Sequence, residues 1–369
     1  MQHEKSLAGK VRAITKLGRQ HLWMIQRDAI RKEHELQYVF WECTINCNFL
    51  CKHCGSNAGG CYKQETVSTE EIKEAFRDIA ASFDARKIAV AITGGEPLLR
   101  ADLFEVMTYA SSLGFRWGMV TNGFMVTKEV VEKARQAGMK TVDVSIDGIG
   151  ETHDMIRGVP GAFERATQAA RMFVDAGYLE TVRITTTINA QNIVQLDEMH
   201  DYFSSLGVSD WRLLHVDPIG RAECNASILL SKEQTESLLR FIKTKREEKS
   251  DMGLTTGCAH YLGEEYEDEV RNHFFYCATG INIGTILHNG DIYVCPNVPR
   301  RKEFIQGNIK TDSFSEVWNT KFEFFRDPER TLSEKCKGCE HWKECLGGSL
   351  HSYDFDKNEQ KVCLKKGEQ

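Results

Sequence analysis

Residues 47–54 read CNFLCKHC, three cysteines at spacings of four and then three. Thiolates this close together bind metal, and the number of ligands decides which metal chemistry is open. Structural zinc sites are closed tetrahedra of four ligands, usually built from paired Cys-x2–4-Cys units. His53 is the nearest fourth donor, but it directly precedes Cys54 and would strain a compact site. An iron–sulfur cubane makes a different demand. Each iron holds three sulfides and needs one outside ligand, so three cysteines bind three irons and leave the last one open. CNFLCKHC is either a site closed by a distant residue or a site left open for a reactant.

The remaining cysteines favour metal. Thirteen occur in 369 residues: five at 43–61, one at 224 and seven at 258–363. A disulfide framework has no need of two separate groups, whereas two metal-binding regions do. Hydrophobic residues make up 41% and charged residues 27%, the balance of a soluble globular protein, and the net charge of −6 offers no nucleic-acid surface. Only the first 33 residues lean basic, with eight Lys/Arg against three Asp/Glu. The sequence shows no apolar run of signal-peptide or membrane-spanning length. The expectation is a cytoplasmic protein with neither a nucleic-acid nor a membrane partner.

The elements that must position these cysteines alternate along the chain. Apolar, β-rich runs fall at 38–43, 87–93, 116–121, 141–146, 181–188 and 211–216. Between them lie helical patterns, the clearest starting at Ser68 with Glu71 as its capping-box partner. Others cover roughly 101–113, 127–137, 161–176 and 192–206, with Gly114, Gly138, Gly177 and Gly207 where C-cap glycines belong. Six βα units in succession argue for an α/β fold of parallel strands, as an open sheet or a barrel. CNFLCKHC, GGEP (94–97), TNG (121–123), SIDG (145–148), NAQN (189–192) and DPIGR (217–221) each follow a strand. Loops at the carboxyl ends of parallel strands share one face, where ligands bind. Cys43 lies within the first strand and reads as a buried structural thiol, while Cys61 and Cys224 have no partner spacing.

GGEP adds two glycines that let a backbone approach a ligand and an acceptor, Glu96, for an ammonium group. With C-x3-C-x2-C at the first strand end, residues 37–222 resemble the radical S-adenosylmethionine (SAM) superfamily. That resemblance implies a partial (β/α)6 TIM-type barrel with a smaller C-terminal iron–sulfur domain. It implies that Cys47, Cys51 and Cys54 hold a [4Fe–4S] cluster whose open iron is chelated by SAM, with Gly94, Gly95 and Glu96 at the SAM amino group. SIDG followed by ETHDMIRG resembles a segment of peptide-modifying members, which would place Ser145 and Arg157 on the SAM carboxylate. Asn122 would contact SAM, and His53 would pack near the adenine. Asp147 would order its loop.

The C-terminal cysteines resemble the SPASM domain, which carries auxiliary iron–sulfur clusters. In that pattern Cys336, Cys339, Cys345 and Cys363 form one complete set. Cys277, Cys295 and an upstream cysteine such as Cys258 form the other, whose fourth cysteine is replaced by Ser349. Ser349 or His351 would complete that site, or the iron would stay open, or the site would hold a smaller cluster or none, giving one or two auxiliary clusters. The implied organisation is a basic helical extension at 1–36, the barrel at 37–222, a linker helix at 223–257 and the auxiliary domain at 258–369. The implied chemistry is reductive SAM cleavage and oxidative modification of a peptide or protein C–H bond, driven by a reductant such as flavodoxin or ferredoxin. A small molecule (sugar, aminocyclitol or cofactor precursor) is the alternative substrate, and a non-catalytic iron–sulfur or zinc protein the remote one. No peptide-docking domain is recognisable ahead of the barrel. His215 and Asp217, at the sixth strand end, are placed to face the substrate.

Overall fold

The computed structural model describes residues 7–59, 65–248, 250–257 and 260–363. After helix α1 (Leu7–Glu33) come six strands: β1 (Tyr38–Thr44), β2 (Ala89–Gly94), β3 (Arg116–Thr121), β4 (Thr141–Ser145), β5 (Thr181–Ile188) and β6 (Asp210–His215). The helices between them are α2 (Thr69–Ser82), α3 (Leu103–Ser112), α4 (Lys128–Gln136), α5 (Glu151–Arg157), α6 (Ala162–Ala176) and α7 (Leu196–Ser205). Ser68 and Glu71 form the expected capping box on α2. Gly114, Gly138, Gly177 and Gly207 follow their helices with φ between 62° and 103°, a region that favours glycine. Helix α5 is additional: ETHDMIR has too few residues for a periodic signal, and Gly158 ends it with φ 74°.

All six strands are parallel and neighbours in chain order. One face of each strand packs under the helices, as with Val39, Trp41 and Cys43, Val142 and Val144, and Trp211 and Leu213, all in one buried core. Trp41 meets Phe76 edge-on at 6.1 Å, and Trp211 meets Phe203 at 5.3 Å. The other face is concave. Tyr38 of β1 is pushed up by burial and feels the charges of Arg212, Asp143 and Arg183, which stand on β6, β4 and β5. Residues so far apart in strand order interact only if the sheet curls, which makes it a partial barrel.

The sheet continues past residue 222. The stretch 223–257, expected as a linker, contains helix α8 (Lys232–Glu247) and also strand β7 (Gly253–Thr256), parallel to β6. At the opposite edge β8 (Ile283–Ile286) pairs parallel with β1. Antiparallel β9 (Asp291–Tyr293) and β10 (Gly307–Asn308) follow, giving ten strands. The C-terminal region is thus stitched into the barrel through backbone hydrogen bonds. Among the described residues no helix is long and apolar enough to cross a membrane.

Helix α1 docks on the C-terminal region. Trp23 packs against His273 and Tyr276, and buried Arg27 donates to the Lys343 carbonyl at 2.8 Å. His34 stacks on Trp318 at 4.2 Å and bridges the Ile281 and Trp318 carbonyls. A buried charged donor of this kind contributes about 1.5–3 kcal/mol. Arg27→Ala should therefore release α1, read as faster amide hydrogen exchange over 16–33 with β1–β6 unchanged. Unchanged exchange there would remove Arg27 as the anchor.

Candidate active site and metal centres

The cysteine loop leaves β1 at Thr44. Cys47, Cys51 and Cys54 pack with Phe49, Phe124, Val159 and Ala162 in a small apolar cluster separate from the main core. Burial pushes the Cys47 thiol up to about 11, with Cys51, Glu96 and Cys54 adding to the rise. Such thiols lose their protons to a metal rather than to water. The loop is positioned by the glycines of GGEP. Gly95 N–H donates to the Thr44 carbonyl at 2.7 Å and Glu96 N–H to the Asn46 carbonyl at 2.8 Å. A Cβ on Gly95 would lie 1.9 Å from the Asn46 oxygen, and one on Gly94, which has φ 147°, 2.2 Å from the Thr44 oxygen. The close approach these glycines allow is to the backbone of the cysteine loop.

Glu96 is 1% exposed and joins the ends of β2 and β3. It accepts from Thr121 Oγ1 at 2.7 Å, Asn122 N–H at 2.8 Å and Leu98 N–H at 3.3 Å. Burial raises its pKa against these bonds. Three of about four acceptor positions are used, which leaves room for one more donor such as an ammonium. Asn122 Nδ2 donates to Asn48 Oδ1 at 2.7 Å and its Oδ1 accepts from Phe124 N–H, so the TNG turn also holds the cysteine loop.

The third tie comes from β4. Arg157, at the end of α5, has Nε 2.6 Å from Asp147 Oδ2 and Nη1 3.6 Å from Cys51 Sγ. A guanidinium beside a cysteine favours the thiolate. His53 Nε2 lies 3.4 Å from the same Asp147 oxygen, and burial drops His53 to about 4, so its ring is neutral at pH 7. The expected adenine neighbour is thus turned towards Asp147, which also accepts from Thr187 N–H at 2.8 Å. The rest of the HDMIRG stretch sets this geometry. His153 Nδ1 accepts the Asp147 N–H at 2.9 Å, and Asp154 accepts from Gly161 and Phe163 N–H at the start of α6. Ser145 stands half-buried at the end of β4, two residues before Asp147.

A fourth tie was not read from the sequence. Arg221, in DPIGR after β6, donates to the Cys51 carbonyl at 2.6 Å and the Ala58 carbonyl at 2.7 Å, and its N–H to the Cys54 carbonyl at 3.0 Å. The signal was its place on the same face as the cysteines; nothing in its residue type separates it from a surface arginine. Asp217 of the same loop meets His351 Nε2 at 2.8 Å and His215 Nδ1 at 3.5 Å. Burial opposes its charge, but the two imidazoles outweigh burial and hold its carboxyl well below the usual carboxylate range.

Cys336, Cys339, Cys345 and Cys363 line one open pocket with Tyr261, Trp342 and Val362. Burial pushes Cys345 up to about 12, with Cys363 and Cys336 adding. Among the described residues no three His, Cys, Asp or Glu side chains converge on a single metal ion. Four sulfurs ringing a cavity suit a cluster, which bonds each cysteine to a different iron. In the other set, Cys277 accepts from Leu350 N–H at 3.5 Å, and Cys295 lies just beyond β9 against the main core. Cys258 and Cys61 lie outside the described residues. Cys43 is fully buried among apolar neighbours, and Cys224 is exposed.

A curled parallel sheet with an open three-cysteine loop at its carboxyl face, held by GGE and followed by a second cysteine-rich region, defines a radical SAM enzyme. The comparisons agree: the radical SAM superfamily matches residues 41–203, and the SPASM iron–sulfur cluster-binding domain matches 277–340. The chain belongs to this superfamily. It is 32% identical to the AdoMet-dependent heme synthase of Methanosarcina barkeri, over 85% of this chain and 91% of that one. It is 30% identical to the mycofactocin maturase MftC of Mycolicibacterium smegmatis, over 85% and 78%. In fold it is similar to Streptococcus suis SuiB bound to S-adenosylmethionine, with a TM-score of 0.68 and 16% identity, over 92% and 80%.

When bound, the cluster and SAM supply a 5′-deoxyadenosyl radical that takes a hydrogen atom from substrate. The residues here hold the cysteine loop at the barrel mouth from four strand ends. Gly95→Ala should break the first tie, removing about four irons per chain and all 5′-deoxyadenosine formation, as the Cys47, Cys51 and Cys54 triple alanine variant should. Iron analysis and product chromatography check both. SAM cleavage by the triple variant would refute the site.

Proposed function

We propose that this enzyme oxidatively modifies a carboxylated tetrapyrrole by radical C–H abstraction, taking its electron from a flavodoxin or ferredoxin. The observation that carries this reading is the 32% identity to a heme synthase across nearly the whole of both chains. It corresponds to the cofactor-precursor alternative raised by the sequence. The concave barrel face supports it. Tyr38 and Phe40, 4.9 Å apart, offer aromatic surface. Arg183 and Arg212 stand opposite with side chains 27% and 32% exposed, beside Asp143 and Asp210. A flat apolar ring bearing carboxylates needs both kinds of surface, because arginine forks match carboxylate oxygens. Gly94, Gly95, Glu96, Asn122, Ser145 and Arg157 are the SAM-facing residues in this reading, with one acceptor position on Glu96 for the SAM ammonium.

A second reading keeps the radical step and gives it a peptide, as the sequence suggested first. It rests on the 30% identity to a mycofactocin maturase. The two separate in one anaerobic assay with reconstituted protein, SAM and a reductant. An iron porphyrin with carboxylate side chains should raise 5′-deoxyadenosine formation about tenfold or more, since the right substrate completes the site, and should itself change mass. Arg212→Ala should weaken that response. No stimulation by the porphyrin would overturn the first reading, and stimulation by a short peptide encoded next to the gene would establish the second.

A further inference from the structure

The first auxiliary site is one cysteine short, and the segment that carries the vacant position is fixed in the fold. Ser349 is buried, and the next residue donates its N–H to Cys277 Sγ at 3.5 Å. That bond lays the backbone of 349–351 against a cluster cysteine. His351 follows, 7% exposed. Its Nε2 is 2.8 Å from Asp217 Oδ2 on the loop after β6, which leaves Nδ1 as its open nitrogen. His215 Nδ1 lies 3.5 Å from the other Asp217 oxygen, the Ile219 N–H donates to the Asp217 carbonyl at 2.8 Å, and Lys361 reaches the neighbouring Pro218 carbonyl at 3.4 Å. The carboxylate is therefore a fixed post and not a mobile surface group.

A buried imidazole whose far nitrogen is anchored on a carboxylate is the arrangement of a metal-bound histidine. The carboxylate keeps the proton on that nitrogen, fixes the ring plane and makes the other nitrogen a better donor. Imidazole replaces thiolate on iron in Rieske clusters. A serine hydroxyl must first lose a proton that it holds far more tightly than a cysteine thiol, whereas a neutral imidazole binds as it stands. We propose that His351 is the non-cysteine ligand of the first auxiliary cluster, binding iron through Nδ1 while Asp217 holds Nε2–H. The proposal rests on Cys277 and Cys295 being ligands of that cluster. Replacing a thiolate with a neutral ring removes one negative charge from the cluster, which raises its potential.

The test uses full-length protein carrying the Cys47, Cys51 and Cys54 alanine changes, so that only auxiliary clusters remain. The protein is labelled with 15N-histidine, reconstituted, reduced and examined by pulsed electron paramagnetic resonance. The expected result is a hyperfine coupling from directly bound nitrogen that disappears in His351→Ala. His351→Cys should also lose the coupling while keeping the parental iron content and lowering the midpoint potential, which separates ligand loss from misfolding. Asp217→Asn should keep the coupling and change its size. Absence of a nitrogen coupling in the parent, or its survival in His351→Ala, overturns the ligand. If Cys277→Ala with Cys295→Ala removes no iron, the cluster site itself falls, and the ligand with it.

Discussion

The contact on which everything else depends is the approach of the GGE backbone to the backbone of the cysteine loop. Two carbonyls of that loop, at Thr44 and Asn46, are bonded by the N–H groups of Gly95 and Glu96. Side chains at 94 or 95 would occupy the space of those oxygens. The parallel pairing of β1 with β2 is thereby carried beyond the strands themselves. The loop would otherwise be a surface excursion with three reactive thiols, free to scramble or oxidise. Here it is a platform of set shape. Glu96, Arg157 and Arg221 then bring the ends of β2, β4 and β6 to it, two of them buried and all three through polar or charged groups.

This arrangement also separates two demands on one face. The cysteine loop must be rigid enough to present three sulfurs, yet the iron opposite them must stay accessible. Asp147 takes both His53 Nε2 and the Nε edge of Arg157, while Arg157 Nη1 stays at Cys51. The alternation of buried and concave positions along β4 to β6 does the corresponding work lower in the barrel, where Asp143 and Asp210 keep Arg183 and Arg212 in fixed poses.

Much of the barrel was legible in the sequence, because its signals are strong and local. Alternating apolar strands, the Ser68 capping box and glycines with positive φ after four helices all fell where the periodicity placed them. So did the face on which the cysteines sit. What was not legible depends on partners distant in the chain. Strands β7 to β10 have two to four residues each, too short for a period to register. Arg221 looks like any loop arginine until Cys51 is beside it. The basic N-terminal helix gave no sign that Trp23 and Arg27 would find Tyr276 and Lys343. GGEP was recognised, but nothing local showed that its glycines also let the backbone meet the carbonyls of the cysteine loop.

The pairing of β8 with β1 has a consequence for traffic between the metal centres. Electron tunnelling falls off steeply with distance, so a relay works only if its stations stay put. A tethered domain would let that distance breathe with every swing of its linker. Here the strand that leads towards Cys295 lies in the same hydrogen-bonded sheet as the strand that leads into CNFLCKHC, register for register from Tyr38 opposite Ile283 to Trp41 opposite Ile286. That shared sheet ties the start of the C-terminal region to the strand carrying the cysteine loop, so the two cannot swing apart while the pairing survives.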